Sequence, residues 1–312
     1  MRRVLSIDGG GLKGVYPATL LASFEASLPE PLYKYFDLVV GTSTGGIIAL
    51  AISLGIPASK IVAFYEEYGP QIFSGSALLA KIRHARRIKW NSEPLERALT
   101  ETFGTKRIDD CLTRTVVVSM KTEGDVHLYK TCHRADFTRD YHRSVVEAAL
   151  ATSAAATYFP TLSTLSGEYL TDGGLWANNP VLVAAIEAVG LLNWPKKEVN
   201  ILSLGCTEKS GKDIRSARSG LRFLFGHSVD AFMSMQSKSA LSGTYTLLGH
   251  ENVFRVNDPG NFALDDPRQV PALKELALIR FDMERACLMK AFFSEPVNER
   301  FVPFKRAEPL SE

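Results

Sequence analysis

The chain lacks the marks of several protein classes. Its four cysteines, Cys111, Cys132, Cys206 and Cys287, lie far apart and form no C-x-x-C pair and no Cys/His metal spacing. They read as free thiols of a reducing compartment, not as a disulfide frame or a zinc site. An excess of one charge is also missing: 36 Lys and Arg stand against 34 Asp and Glu, for a net charge of +2. So small an excess gives no basis for nucleic acid as a global partner, and neither DNA nor RNA is expected to bind. The N-terminus has no charged, apolar and cleavable tripartite segment; it starts straight into a strand, which argues against secretion and for a cytoplasmic protein. No repeat or low-complexity linker divides the chain. One uncharged run, residues 38–56, is long enough to mimic a membrane span, but the glycine-rich turn inside it breaks any single helix. What remains is ordinary globular material, 46% hydrophobic and 22% charged over 312 residues, enough for a large core.

That glycine-rich turn is the most informative segment present. Val39-Val40-Gly41-Thr42-Ser43-Thr44-Gly45-Gly46 contains a G-x-S-x-G pattern between a strand expected over 36–40 and a helix expected over 47–54. Such a nucleophile elbow holds a serine in strained backbone geometry, with its hydroxyl over the N-terminus of the next helix. The small residues Gly41 and Gly45 let strand and helix cross closely. The helix N-terminus offers N–H groups and partial positive charge to a developing oxyanion. Alternating patterns predict further elements. Strands are expected over 4–7, 115–120, 126–130 and 199–204, with 169–170 leading into a loop at Asp172. Helices are expected over 17–27, 60–68 (capped by Ser59), 93–102, 144–151, 180–191 and 274–293. This alternation predicts a layered α/β fold with a mostly parallel central sheet flanked by helices.

Two further motifs accompany the elbow. Asp8-Gly9-Gly10-Gly11-Leu12-Lys13-Gly14 follows the first strand directly, and Asp172-Gly173-Gly174 continues as Leu175-Trp176-Ala177-Asn178-Asn179-Pro180. With Ser43 between them, the set resembles the patatin-like phospholipases. Residues 152–160 and 201–205 look like the same family. The resemblance covers about the first two-thirds of the chain; the last third carries no matching motif. It implies a single patatin-like domain over 1–312, with a motif-bearing core at about 4–205 and a C-terminal helical part at about 220–295. It also implies a Ser–Asp dyad of Ser43 and Asp172, with no cofactor and no metal. Gly9, Gly10 and Gly11 then read as the oxyanion hole, since glycine amides approach a substrate oxygen without a Cβ clash. Gly14, Gly173 and Gly174 support the motifs. Lys13 is a candidate anion contact; the family often has arginine there, and lysine keeps the charge without the planar fork.

The expected activity is a serine lipid acyl hydrolase acting on membrane phospholipid. The chain's compactness also resembles bacterial patatin effectors of nucleotide-signalled anti-phage defence. That implies a cyclic oligonucleotide activator and peripheral association with the inner face of the cell membrane. A homo-oligomer stands among the expected partners. Other readings compete. Gly9-x-Gly11-x-x-Gly14 fits a dinucleotide fingerprint, though Asp8 would then face a pyrophosphate, Pro17 falls early in the next helix, and the elbow has no role. Asp172-Gly173 alone reads as an ordinary turn. A Ser–His–Asp triad would draw on His227 or His250, which follow the acid; His84, His127, His133 and His142 show no metal spacing and are assigned no chemistry. An acyltransferase or neutral-lipid esterase would use the same dyad, and a non-catalytic nucleotide- or lipid-binding module would need neither group. Residues 209–219 read as a loop. In the run after it, Phe223, Phe225, Phe232, Met233 and Met235 are expected in the core, with an acyl channel as the sharper alternative. The basic amphipathic stretch 78–90, carrying Lys81, Arg83 and Arg87, reads either as an anionic-lipid or phosphate contact or as a solvated helix.

Overall fold

The β-rich runs pair into one sheet in a computed structural model that describes residues 1–74, 89–208 and 228–306. Residues 78–88 of the basic stretch, the expected loop at 209–219, Phe223, Phe225, His84 and His227 lie outside the described residues. Five strands run parallel at the centre: β3 (Arg114–Lys121), β2 (Leu38–Thr42), β1 (Arg2–Ile7), β7 (Val199–Leu204) and β8 (Val253–Val256), in that spatial order. Antiparallel strands β4 (Val126–Lys130) and β6 (Tyr169–Asp172) pair with β3, and β5 (Leu162–Ser163) pairs with β6.

Period-two alternation divides the sheet's side chains between two cores. Leu5, Ile7, Val39, Val117, Leu202 and Leu204 belong to one. Helices α1 (Val15–Glu25), α2 (Thr44–Ser53), α3 (Ala58–Ile72), α4 (Glu93–Phe103), α5 (Val145–Ser153) and α9 (Val270–Phe292) contribute to it. Val4, Leu38, Val40, Val116, Val118 and Ile201 belong to the other, with helix α7 (Val181–Ala185) and helix α8 (Ser228–Leu248) packed against them. A further short helix, α6 (Gly174–Ala177), follows β6 directly.

The expected layers are therefore present, with differences at element ends. The run 38–56 folds as strand, elbow and helix, and among the described residues no helix is long and apolar enough to cross a membrane. The elbow strand starts two residues later than expected: the Asp37 amide donates to the Arg3 carbonyl at 2.8 Å, but the Arg3 amide is taken by the Asp37 carboxylate, also at 2.8 Å, and the regular ladder begins at Leu38. Helix α3 starts at Ala58 after Pro57, so Ser59 lies inside it and does not cap it. The helix expected over 180–191 is α-helical only to Ala185; a π-helical turn at Ile186–Leu191 follows, with Glu187 turned inward onto His133 and Lys130.

Candidate active site

Strand register brings Ser43 and Asp172 together. Residues Val116–Val118 of β3 pair with both β2 and β4, so those two strands lie on opposite edges of β3. Ser119 pairs with both His127 of β4 and Asp172 of β6, so β6 takes the same edge as β2. β2 ends opposite Val118 at Thr42, and β6 ends opposite Ser119 at Asp172. Two strands running in opposite directions thus meet end to end, and the residues at the junction face each other.

Ser43 sits at φ 55° and ψ −126°, a left-handed conformation that costs a non-glycine residue about 1–3 kcal/mol. The surroundings hold it there. Its amide donates to the Thr152 hydroxyl at 2.7 Å, and that hydroxyl donates onward to the Val118 carbonyl at 2.5 Å. The Thr42 hydroxyl donates to the Ala177 carbonyl at 2.6 Å, tying the elbow to α6. A Cβ on Gly41 would collide with the Gly45 backbone, and one on Gly45 with the Ile7 and Asp8 carbonyls; the elbow tolerates no side chain at either position.

The Ser43 hydroxyl donates to Asp172 Oδ2 at 2.6 Å, and the Gly174 amide donates to Oδ1 at 2.7 Å. Ser43 is 9% and Asp172 5% exposed. Burial pushes the Asp172 carboxyl up to about 7, against the opposing pull of the two hydrogen bonds. A carboxylate poised there takes and returns a proton at neutral pH, which an ordinary aspartate near ~3.9 does poorly. Gly173 backs onto Val118 so closely that a Cβ would overlap it.

The glycine loop reaches the same point from β1. The Gly9 amide donates to the Asn178 carbonyl at 2.9 Å, and Asn178 Nδ2 returns a bond to the Gly9 carbonyl at 3.3 Å. Gly9, expected among the oxyanion donors, therefore spends its N–H fastening two loops together. Gly10 and Gly11 take no part in this fastening, and both line the cavity at Ser43. Gly11 has φ +56°, and a Cβ there would strike the Leu264 carbonyl. Gly14 packs beneath α2, where a Cβ would meet Thr44 and Tyr65. Lys13 is buried, and its ammonium donates to the Thr207 carbonyl at 3.0 Å.

The cavity in front of Ser43 is apolar. Its walls include Ile47 of α2, Phe64, Tyr65, Gly69 and Ile72 of α3, Leu95 of α4, and Tyr158 and Phe159 of the loop after α5. Sequence reasoning missed α3 in this role, although Ile61, Phe64, Tyr65, Tyr68 and Ile72 recur at helical spacing. It also misplaced two side chains of α8: Phe232 is 61% and Met235 48% exposed, while Met233 lines the cavity. Thr152 and Arg255 went unassigned as well. Arg255 forms a two-pronged pair with Asp8 at 2.9 and 2.6 Å and anchors the start of the glycine loop. Asn179 Oδ1 accepts from the Val181 amide at 3.1 Å at the start of α7.

No described histidine enters this site. His250 stacks on Tyr245 with ring centroids 4.0 Å apart, and His133 lies between Thr131 and Glu187. Burial pushes His127 down to about 4. Among the described residues, no three His, Cys, Asp or Glu side chains converge as a metal site.

Comparison with known proteins relates the chain to a family. The family model described as patatin-like phospholipase matches residues 5–185, more than half of the chain. A cGAMP-activated phospholipase of Pseudomonas aeruginosa is 34% identical over 282 residues, covering 88% of this chain and 83% of its own. A cGAMP-activated phospholipase of Escherichia coli is 35% identical, covering 65% of this chain and 61% of its own. A cUMP-AMP-activated phospholipase of Escherichia coli is 34% identical, covering 65% and 64%. The chain thus spans less than two thirds of the two Escherichia coli relatives.

Proposed function

The chain belongs to the patatin-like phospholipase family, and from that premise we propose that it hydrolyses acyl esters of membrane phospholipids through Ser43 and Asp172. The observation that carries this reading is the 2.6 Å hydrogen bond from the Ser43 hydroxyl to a buried carboxylate, at the wall of an apolar cavity. Ser43 Oγ attacks the ester carbonyl carbon while its proton passes to Asp172. The carbonyl electrons move onto oxygen, where the Gly10 and Gly11 amides and the N-terminus of α2 stabilise the charge. Gly9 supports that loop through its amide bond to the Asn178 carbonyl, and Lys13 adds positive charge beneath it. The intermediate collapses, the alkoxide of the lysolipid takes the proton from Asp172, and an acyl-serine remains. Asp172 then removes a proton from water, the hydroxide attacks the acyl-serine, and Ser43 recovers its proton as the fatty acid leaves.

The activating ligands named for the relatives support a regulatory reading: a cyclic oligonucleotide switches this hydrolase on in anti-phage defence. The protein then works in the cytoplasm, peripherally at the inner face of the membrane. Leu175, Trp176, Phe232 and Met235 are exposed apolar side chains on α6 and α8, the elements that flank the cavity, and they support such a contact. The C-terminal helical part belongs to the same domain in this reading.

Product analysis tests the proposal. Purified protein is incubated with phospholipid vesicles, with and without cGAMP and cUMP-AMP, and free fatty acid is measured beside Ser43→Ala. Fatty acid released by the wild type alone, and increased by a nucleotide, is the expected result. Transfer of the acyl group to added glycerol in place of water would reassign the protein as an acyltransferase. Equal release by Ser43→Ala would remove the nucleophile.

A further inference from the structure

A second, smaller cavity adjoins the catalytic one, and Leu95, Ser153 and Phe159 line both. Beyond these shared residues the smaller cavity is bounded by Leu150, Ala154, Pro160 and Leu162 on its apolar side and by Ser92, Glu96 and Thr161 at its polar side. The shared side chains are therefore the partition between the two spaces. Phe159 is the largest of them and is held in place. Its amide donates to the Ala155 carbonyl at 2.9 Å, and its ring packs on Phe73 with centroids 6.1 Å apart. Phe73 in turn meets Trp90 edge-on at 5.8 Å, and the Trp90 amide donates to the Tyr158 carbonyl at 2.8 Å. A ring braced from both its backbone and its face is a fixed wall, and Leu95 projects from α4 to complete it.

Resting on the acyl-ester hydrolysis proposed above, we propose that Phe159, completed by Leu95, is the stop that sets the longest acyl chain the cavity accepts. A chain whose carbonyl sits at Ser43 lays its methylenes along the apolar wall, each gaining affinity until it meets the partition. Methylenes beyond that point gain no burial. Removing the ring joins the smaller cavity to the larger and lets further methylenes leave water along Leu150, Pro160 and Leu162, each worth at most roughly fourfold in kcat/KM.

The test is a chain-length series of p-nitrophenyl esters from butyryl to stearoyl in mixed micelles, with cGAMP and cUMP-AMP present. The variants are Phe159→Ala, Phe159→Leu, Leu95→Ala and Leu95→Phe, each checked for a cooperative thermal transition. The expected result for Phe159→Ala is an optimum moved to longer chains, with the long-to-short ratio of kcat/KM raised about tenfold or more. Leu95→Phe moves the optimum the other way. If Phe159→Ala fails to fold, Phe159→Leu and Leu95→Ala carry the same expectation at smaller size. A folded variant set with the wild-type chain-length profile overturns the proposal, as does a loss that is uniform across all lengths. If wild type shows no Ser43-dependent hydrolysis of any ester, the activity itself is overturned and this proposal with it.

Discussion

At the residue scale, Asp172 couples chemistry to stability. Its carboxyl is pushed up to about 7 in the folded protein by burial, against about 3.9 in an unfolded chain. The fold therefore holds the proton more tightly than the unfolded chain does. The associated stability is complete below about pH 4 and is lost as pH rises through about 7, for a total of about 4 kcal/mol. Asp172→Asn removes the titration along with the proposed base. We predict that it abolishes hydrolysis, and that its melting temperature relative to wild type rises between pH 5 and pH 8. A relative melting temperature independent of pH would mean the carboxyl is not perturbed. His250 stacks on Tyr245 and lies outside the cavity lining, so His250→Ala is expected to keep at least about half of wild-type activity by initial-rate assay. A fall to the level of Asp172→Asn in a folded protein would bring a triad into the mechanism.

At the scale of elements, legibility followed the source of each constraint. The elbow and the glycines around it could be read because local backbone demands mark them: a left-handed residue between Gly41 and Gly45, Gly173 turned against Val118, Gly11 pressed on Leu264. The strands β4 and β7 matched their expected ends because alternation and turn residues bound them on both sides. β8 carries only four residues and becomes a strand by pairing with β7, while β5 has two, so neither leaves a periodic signal. Thr152, Arg255 and the cavity face of α3 were illegible for another reason: their roles exist only in tertiary contact. α8 read as core because Phe232, Met233 and Met235 cluster at its start, yet it presents Phe232 and Met235 to solvent beside Trp176 of α6, which is 38% exposed. Gln236 of α8 accepts from the Asn178 amide at 2.9 Å and also bonds the Trp176 carbonyl, so the two helices form one rim. The double variant Trp176→Ala/Met235→Ala should lower hydrolysis of vesicle phospholipid by about tenfold, since each buried apolar side chain contributes on the order of 1.5–3 kcal/mol at most. Hydrolysis of a soluble short-chain ester should fall far less. Equal loss on both substrates would contradict a rim that meets the bilayer.

At the scale of the whole molecule, the last helix completes the first. α9 lies along α1, with Phe281 and Phe293 each 4.9 Å from Phe24 between ring centroids, and the Arg3 guanidinium donates to the Phe292 carbonyl at 2.8 Å. A chain ending at residue 269 would expose Phe24, Phe36 and their neighbours, so its cooperative thermal transition should disappear; a truncated chain that melts like the full one would show the C-terminal part to be a separate unit. The parallel strands of the sheet hold the glycine loop and the elbow at one end, and the antiparallel return of β6 delivers Asp172 to that end. The pairing of Ser43 with Asp172 is thus a product of topology, and the most direct test of the proposed dyad is covalent. A fluorophosphonate probe reacts with the activated serine, the labelled peptide is mapped by mass spectrometry, and the labelling rate is followed with pH. Label on the peptide carrying Ser43, at a rate that rises as pH passes through about 7 and is lost in Asp172→Asn, is the predicted result. Label on a different residue, or labelling of Ser43 at the wild-type rate in Asp172→Asn, would contradict it.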